Sequence, residues 1–219
     1  MVVTLVLACA LFYISPVFRI SQVTVVGAVG LTAERVAQSA DVDGQNILAV
    51  DRDEVARVVG QIPVVRSARV TRNLPNEVVI TIEERQPWAV WQVKEAKYVI
   101  DDEGVVIGTA APQGLVTIVD TGGQSIKLGS RVEPNTVELA RRLTDLLPKQ
   151  VGVLPKRFEY TADAGLVVVT DKAWQARFGD LSNLDYKVAT LKAIVSSAAE
   201  RKSKLEMIDL RYSGRPYYR

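Results

Sequence analysis

The 219 residues leave room for two small domains, and 27 basic against 25 acidic residues give a formal charge of +2, too even a balance to mark a nucleic-acid binder. The chain has no His, and its single Cys is Cys9. That excludes an internal disulfide, a zinc site of the Cys or His type and a histidine proton shuttle. With no G-x-S-x-G, S-x-x-K or G-x-x-x-x-G-K either, the sequence reads as non-enzymatic, without cofactor or metal.

Residues 1–18 carry no charge and are rich in Val, Leu and Ala. As a helix they would reach roughly 27 Å, slightly short of the ~30 Å hydrocarbon core. A single transmembrane anchor is expected. A signal peptide would want a basic start and a small-x-small cleavage site, and neither is present.

Next, Val23 and Val25 alternate with polar neighbours over residues 20–27, a strand closed by Gly27. Helices are predicted over 32–40, capped by Thr32, and over 51–61. In the second, Val55, Val58, Val59 and Ile62 form one apolar stripe, and Asp51 with Glu54 has the spacing of a capping box. Residues 64–87 predict a hairpin. Ala68 and Val70 fall on one face of its first strand, Arg69 and Thr71 on the other. Val78, Ile80 and Ile82 share a face of the second. Pro75, between Asn73 and Asn76, marks the turn. A two-stranded ribbon is marginal alone, so the helices are expected to cover its apolar face in two layers. Glu83 and Glu84 are adjacent in a strand, point to opposite faces and cannot pair as acid and base.

From Pro87 onward, short apolar runs at 88–93, 97–100, 105–107 and 115–119 alternate with turn clusters, the pattern of an antiparallel meander. The acidic turn at Asp101, Asp102 and Glu103 lacks the spaced ligands of a calcium loop and reads as solvated. A helix over 134–147 turns Leu139, Leu143 and Leu146 inward and is expected to stop at Pro148. Strands follow at 157–160, 166–170 and 174–178, then a helix over 183–201 capped by Ser182, with Leu184, Val188, Leu191 and Val195 as its stripe. The final strand, 205–212, is apolar at Leu205, Met207, Ile208, Leu210 and Tyr212. Placed at a sheet edge, such a strand exposes N–H and C=O groups that template an incoming strand.

The fragments V-x-V-x-G at 23–27, G-x-N-I-L-x-V-D at 44–51, I-P-x-V-x-x-A-x-V-x-R-x-x-P-x-x-V-x-I at 62–80 and E-R-x-P at 84–87 resemble the POTRA domain of the FtsQ/DivIB family of bacterial cell-division proteins. I-D-L-R-Y at 208–212 is similar to the same family a second time. The resemblance implies an α+β fold: a transmembrane helix at 1–18, a POTRA domain (β-α-α-β-β) at 19–86 and a mainly antiparallel β domain with two helices at 87–219. It implies a non-catalytic divisome scaffold that binds FtsB and FtsL through a C-terminal edge strand. Through them it would reach the septal peptidoglycan synthases FtsW and FtsI and link early to late division proteins. It further implies a single-pass place in the inner (cytoplasmic) membrane at the septum, N-terminus cytoplasmic and bulk outside. Partner-contact positions map onto Arg211, Tyr212, Ser213 and Gly214, with Leu210 on the same strand, and onto Val70 and Arg72 of the hairpin. By pattern alone Val70 is a core residue and Arg72 a solvated charge. The alternative is a POTRA-containing chaperone or transport-associated periplasmic binding module. An outer-membrane transporter would need repeated POTRA units or amphipathic membrane strands, and neither occurs.

Overall fold

The computed structural model describes residues 13, 15–29, 31–123, 125–212 and 217–218, and the chain divides into two compact units, Met1–Arg85 and Gln86–Arg219. Most of the expected anchor, residues 1–12 and 14, lies outside the described residues. Among the described residues no helix is long and apolar enough to cross a membrane. Pro16–Phe18 form a 3-10 turn, and Phe18 packs against the core of the first unit.

The first unit runs β1 (Gln22–Val26), α1 (Leu31–Ala40), α2 (Arg52–Val59), β2 (Val65–Asn73) and β3 (Glu77–Glu84). β3 lies in the middle, parallel to β1 and antiparallel to β2. Val25 and Val70 both stand opposite Ile80, so strand alternation gathers the branched side chains on one face. Val36, Val55 and Val59 of the helices close over that face. The carboxylate of Asp51 caps α2, accepting the N–H of Asp53 and Glu54 at 3.0 and 3.3 Å. Glu54 does not complete the expected box. It accepts instead from the Arg57 guanidinium at 2.9 and 2.5 Å, a charged donor that outcompetes a backbone amide. α1 begins at Leu31, which leaves Thr32 inside the helix rather than at its cap.

The second unit contains β4 (Ala89–Val93), β5 (Ala96–Ile100), β6 (Val106–Gly108), β7 (Val116–Asp120), α3 (Pro134–Leu146), β8 (Pro155–Thr161), β9 (Gly165–Thr170), β10 (Gln175–Gly179), α4 (Leu184–Glu200), β11 (Met207–Asp209) and β12 (Tyr217–Tyr218). They form one sheet in the order β12-β11-β10-β9-β8-β7-β4-β5-β6. The meander expectation needs correction: β4/β7, β7/β8 and β10/β11 are parallel pairs. Parallel neighbours require a crossover, and α3 and α4 are the crossovers for the last two. Ile118, Phe158, Val168, Ala176 and Ile208 face one another in register across five strands, all fully buried. Leu139, Leu143, Val188 and Leu191 of the helices belong to the same core.

Two helix ends differ from expectation. Pro148 does not stop α3, because Leu147–Val151 continue as a π turn closed by the Gly152 N–H donating to the Leu147 carbonyl at 3.0 Å. Proline cannot donate to the i−4 ladder, and the wider i−5 turn takes over. α4 follows Asn183, a left-handed residue at φ 52°, and Ser182 donates its hydroxyl to Asp180 instead of capping. The acidic turn is also less solvated than expected. Asp101 is fully buried and accepts the N–H of Glu103 and Val105 at 3.0 and 2.7 Å, while Glu103 pairs with Arg131 at 3.0 Å.

The exit from β1 depends on Gly27, where φ is +87° and an added Cβ would stand 2.1 Å from the Ile82 carbonyl oxygen. Gly27→Ala combines left-handed strain with a backbone clash and is expected to cost at least about 2 kcal/mol of first-unit stability. The urea midpoint of that unit, followed at first-unit amides by hydrogen exchange, checks it.

Candidate functional site

At the end of the chain, apolar side chains decide which strand lies outermost. Ile208 and Leu210 are core residues, 0% and 3% exposed, and their burial draws β11 alongside β10, with Ile208 opposite Ala176. The strand expected over 205–212 is limited to Met207–Asp209. On its other side Tyr217 and Tyr218 fold back as β12, opposite Asp209 and Ile208. The expectation that residues 205–212 form the outermost strand is therefore overturned: the chain's own tail covers β11, and the open backbone edge belongs to β12. Tyrosine suits that wet position, with an apolar ring and a polar tip.

Of the residues expected to contact a partner, Leu210 is buried, and Ser213 and Gly214 lie outside the described residues. Arg211 and Tyr212 remain together at the surface. The Arg211 guanidinium grips Asp209, with Nε at 3.0 and 3.1 Å and Nη2 at 2.6 Å from its carboxylate oxygens. It also stands 5.5 Å from the centre of the Tyr212 ring, within cation–π range. These bonds hold the Asp209 carboxyl below its usual range and raise Arg211 in turn. Gly179 admits the Arg211 stem, since an added Cβ would approach its Cγ to 3.1 Å. Arg211 and Tyr212 line one wall of a cleft of about 270 Å³, with Asp163, Phe178 and Asp180 on the others.

Behind the cleft lies a residue that sequence reasoning missed. Lys187 of α4 is 2% exposed, and its Nζ donates to the Phe178 carbonyl, the Asp180 carbonyl and Asp180 Oδ1 at 2.8, 2.9 and 3.0 Å. All three ammonium hydrogens are used, which fastens the end of β10 to the first turns of α4. The signal was present: position 187 falls between Leu184 and Val188 on the apolar stripe, where a lysine must find partners.

In the first unit, Val70 lies in the core. On the same face, Arg72 Nη1 donates to the carbonyls of Ile47 and Leu48 at 3.3 and 3.2 Å, tying β2 to the α1–α2 linker. Among the described residues β2 has a neighbour on one side only, and Arg66, Ser67, Arg69, Thr71 and Asn73 are its exposed residues. Among the described residues no three His, Cys, Asp or Glu side chains are gathered as metal ligands.

A β-α-α-β-β unit followed by a mixed-sheet unit whose last strands sit at the sheet end defines a POTRA-containing, two-domain protein built around open strand edges. The family described as POTRA domain, FtsQ-type, matches residues 18–85, and the one described as Cell division protein FtsQ/DivIB, C-terminal, matches residues 89–211. The chain belongs to the FtsQ/DivIB family of cell-division proteins. It is 32% identical over 200 residues to the cell division protein FtsQ of Chloroflexus aurantiacus, covering 89% of this chain and 74% of that one. With the FtsQ of Chloroflexus aggregans the identity is 29%, covering 85% and 71%; with that of Mycobacterium leprae it is 32%, covering 73% and 46%.

The Lys187–Asp180 clasp makes stability respond to acid. Hydrogen bonds from Ser182 and then Lys187 outweigh burial and lower the Asp180 carboxyl from its ordinary 3.8 to about 2. A lowered folded value stabilises above the ordinary pKa, and that contribution drains away as pH falls from about 4 towards 2. Urea midpoints of the second unit should fall over this window, and fall less in Asp180→Asn. Lys187→Met leaves two carbonyls without their donor and is expected to cost about 2–4 kcal/mol at neutral pH, read in the same titration.

Proposed function

We propose that the chain is a non-catalytic, membrane-anchored scaffold of the bacterial divisome that captures FtsB, together with FtsL, on the outer edge of β12. Through them it serves the septal synthases FtsW and FtsI and links early to late division proteins. The observation that carries this reading is the strand order at the sheet end, where, among the described residues, β12 has a neighbour on one side only. A partner strand added there extends the sheet, with backbone bonds supplying affinity and side chains supplying selectivity. Two residues of β12 offer few such bonds, so much of the affinity falls to the exposed rings of Tyr212, Tyr217 and Tyr218. Aromatic anchors of that kind dominate many interfaces. Arg211, already oriented by Asp209, presents a fixed rather than a searching charge.

Anchoring in the inner membrane by the uncharged run that precedes the Pro16–Phe18 turn, N-terminus cytoplasmic and bulk extracytoplasmic at the septum, belongs to the same reading and draws on that run and the family; Phe18, packed on the first-unit core, falls outside the anchor. A second recruitment surface on β2 is supported by that strand's open side. It would act through backbone groups and the outward Arg69, because Val70 is enclosed and Arg72 is engaged with the linker carbonyls.

Replacing Tyr217 and Tyr218 together by Ser is expected to reduce co-purification of FtsB by about tenfold or more, with Tm and circular dichroism unchanged. A photocrosslinker at position 212 or 217 should capture FtsB in dividing cells. Full capture by the folded double variant would falsify the edge assignment. Substitutions at Leu210 cannot serve, since a charge there is buried in the core.

A further inference from the structure

Four exposed apolar side chains meet at one pole of the first unit from segments far apart in sequence: Tyr13, Val17, Leu48 and Leu74, at 47%, 58%, 37% and 63% exposure. Hydrogen bonds lace those segments into a single surface. The Ile47 N–H donates to the Phe18 carbonyl at 2.9 Å, and the Asn46 side chain donates to the Tyr13 carbonyl. Arg72 holds Leu48 from β2 at 3.2 Å. The Ser21 N–H donates to the Asn76 carbonyl at 3.0 Å, and Asn76 Nδ2 returns to Ser21 Oγ at 2.8 Å. The entry segment, the α1–α2 linker and the β2–β3 turn thus share one end of the sheet.

Isolated exposed apolar residues are ordinary, but four gathered on loops and turns are not. What lies against them is indicated by the chain leading in. Residues 1–12 are uncharged and, apart from Thr4, non-polar, and they run directly into Tyr13. Tyr13 and the exposed Arg19 have the aromatic-and-cation character of a membrane margin. Arg19 bridges to Asn46 of the α1–α2 linker, which also carries the exposed Asp41 and Asp43, so apolar insertion rather than attraction to anionic lipid is the dominant force.

We propose that this pole, with Leu74 at the tip of the β2–β3 turn, sits in the boundary between headgroups and acyl chains, seating the first unit on the bilayer instead of tethering it above. The inference rests on the anchored reading given above. Its test uses the full chain in phosphatidylcholine vesicles, in a Cys9→Ala background, with an environment-sensitive fluorophore on Leu74→Cys. Gln61→Cys, exposed at the other end of the sheet, is the control. The expected result is blue-shifted emission at position 74, quenched by lipids carrying a nitroxide high on the acyl chain, with neither effect at position 61. Adding Val17→Asp and Leu48→Asp should remove most of that quenching. Equal, unquenched emission at both positions, in a chain that resists carbonate extraction, overturns the seating and leaves the anchor standing. Extraction by carbonate overturns the anchor and the seating together. A blue shift without lipid quenching means that protein covers the pole, and also overturns the proposal.

Discussion

Ile208 stands opposite Ala176, and beyond it Val168, Phe158 and Ile118 continue the line. This buried row is the constraint on which the arrangement of the sheet end, and the partner surface proposed there, depends. Burying a side chain of that size is worth about 2 kcal/mol, so the last long apolar segment cannot remain at the surface as a free edge. It is drawn inward, and Leu210 follows it. The outermost place is left to whatever succeeds it, here two tyrosines that tolerate water. The proposed interaction surface is thus defined by what the core excludes as much as by the residues that display it.

Two charged clasps hold the corner where that surface begins, and they work differently. Lys187 is sealed and spends its hydrogens on two carbonyls and one carboxylate. Its role is structural, because an unpaired ammonium at that depth would be costly. Arg211 and Asp209 form a forked pair that is mostly covered, with side chains 26% and 12% exposed. Desolvation offsets much of the attraction within such a pair, but its geometry is fixed by several bonds. A guanidinium held in this way loses little freedom when a partner arrives, which is how preorganised groups help binding.

Periodicity made most elements legible. The alternation of Val78, Ile80 and Ile82, and the stripe Val55, Val58 and Val59, led to strands and helices that the fold contains. Pairing was not legible, because alternation tells a strand which face it buries and nothing about its neighbour. The parallel partners of β7 and β11 follow from where α3 and α4 return the chain. Helix ends failed for local reasons. Ser182 donates its hydroxyl to Asp180 and leaves Asn183 at the helix start, and Pro148 was absorbed by a π turn rather than ending the helix. β12 escaped notice because two residues carry no period, and Gly214 and Pro216 stand just before them in the sequence. Of the candidate site, Arg211 and Tyr212 on the cleft wall carry the sequence signal, a motif. It was hidden at Lys187, whose burial shows only once the helix is packed.

The two units guard their open edges by different means. β2 runs nine residues with one side open among the described residues, long enough to invite indiscriminate pairing. An irregularity between Val65 and Ser67 breaks its register, and the outward Arg69 deters apolar strands. β12 is too short to template anything alone. A strand that gains only a few backbone bonds must find its remaining affinity in side chains, so the short edge favours a partner whose residues fit the surrounding tyrosines. On the long edge selectivity must come from charge, and on the short one from shape. The scaffold proposed above can therefore keep two strand-type surfaces open without the same partner filling both.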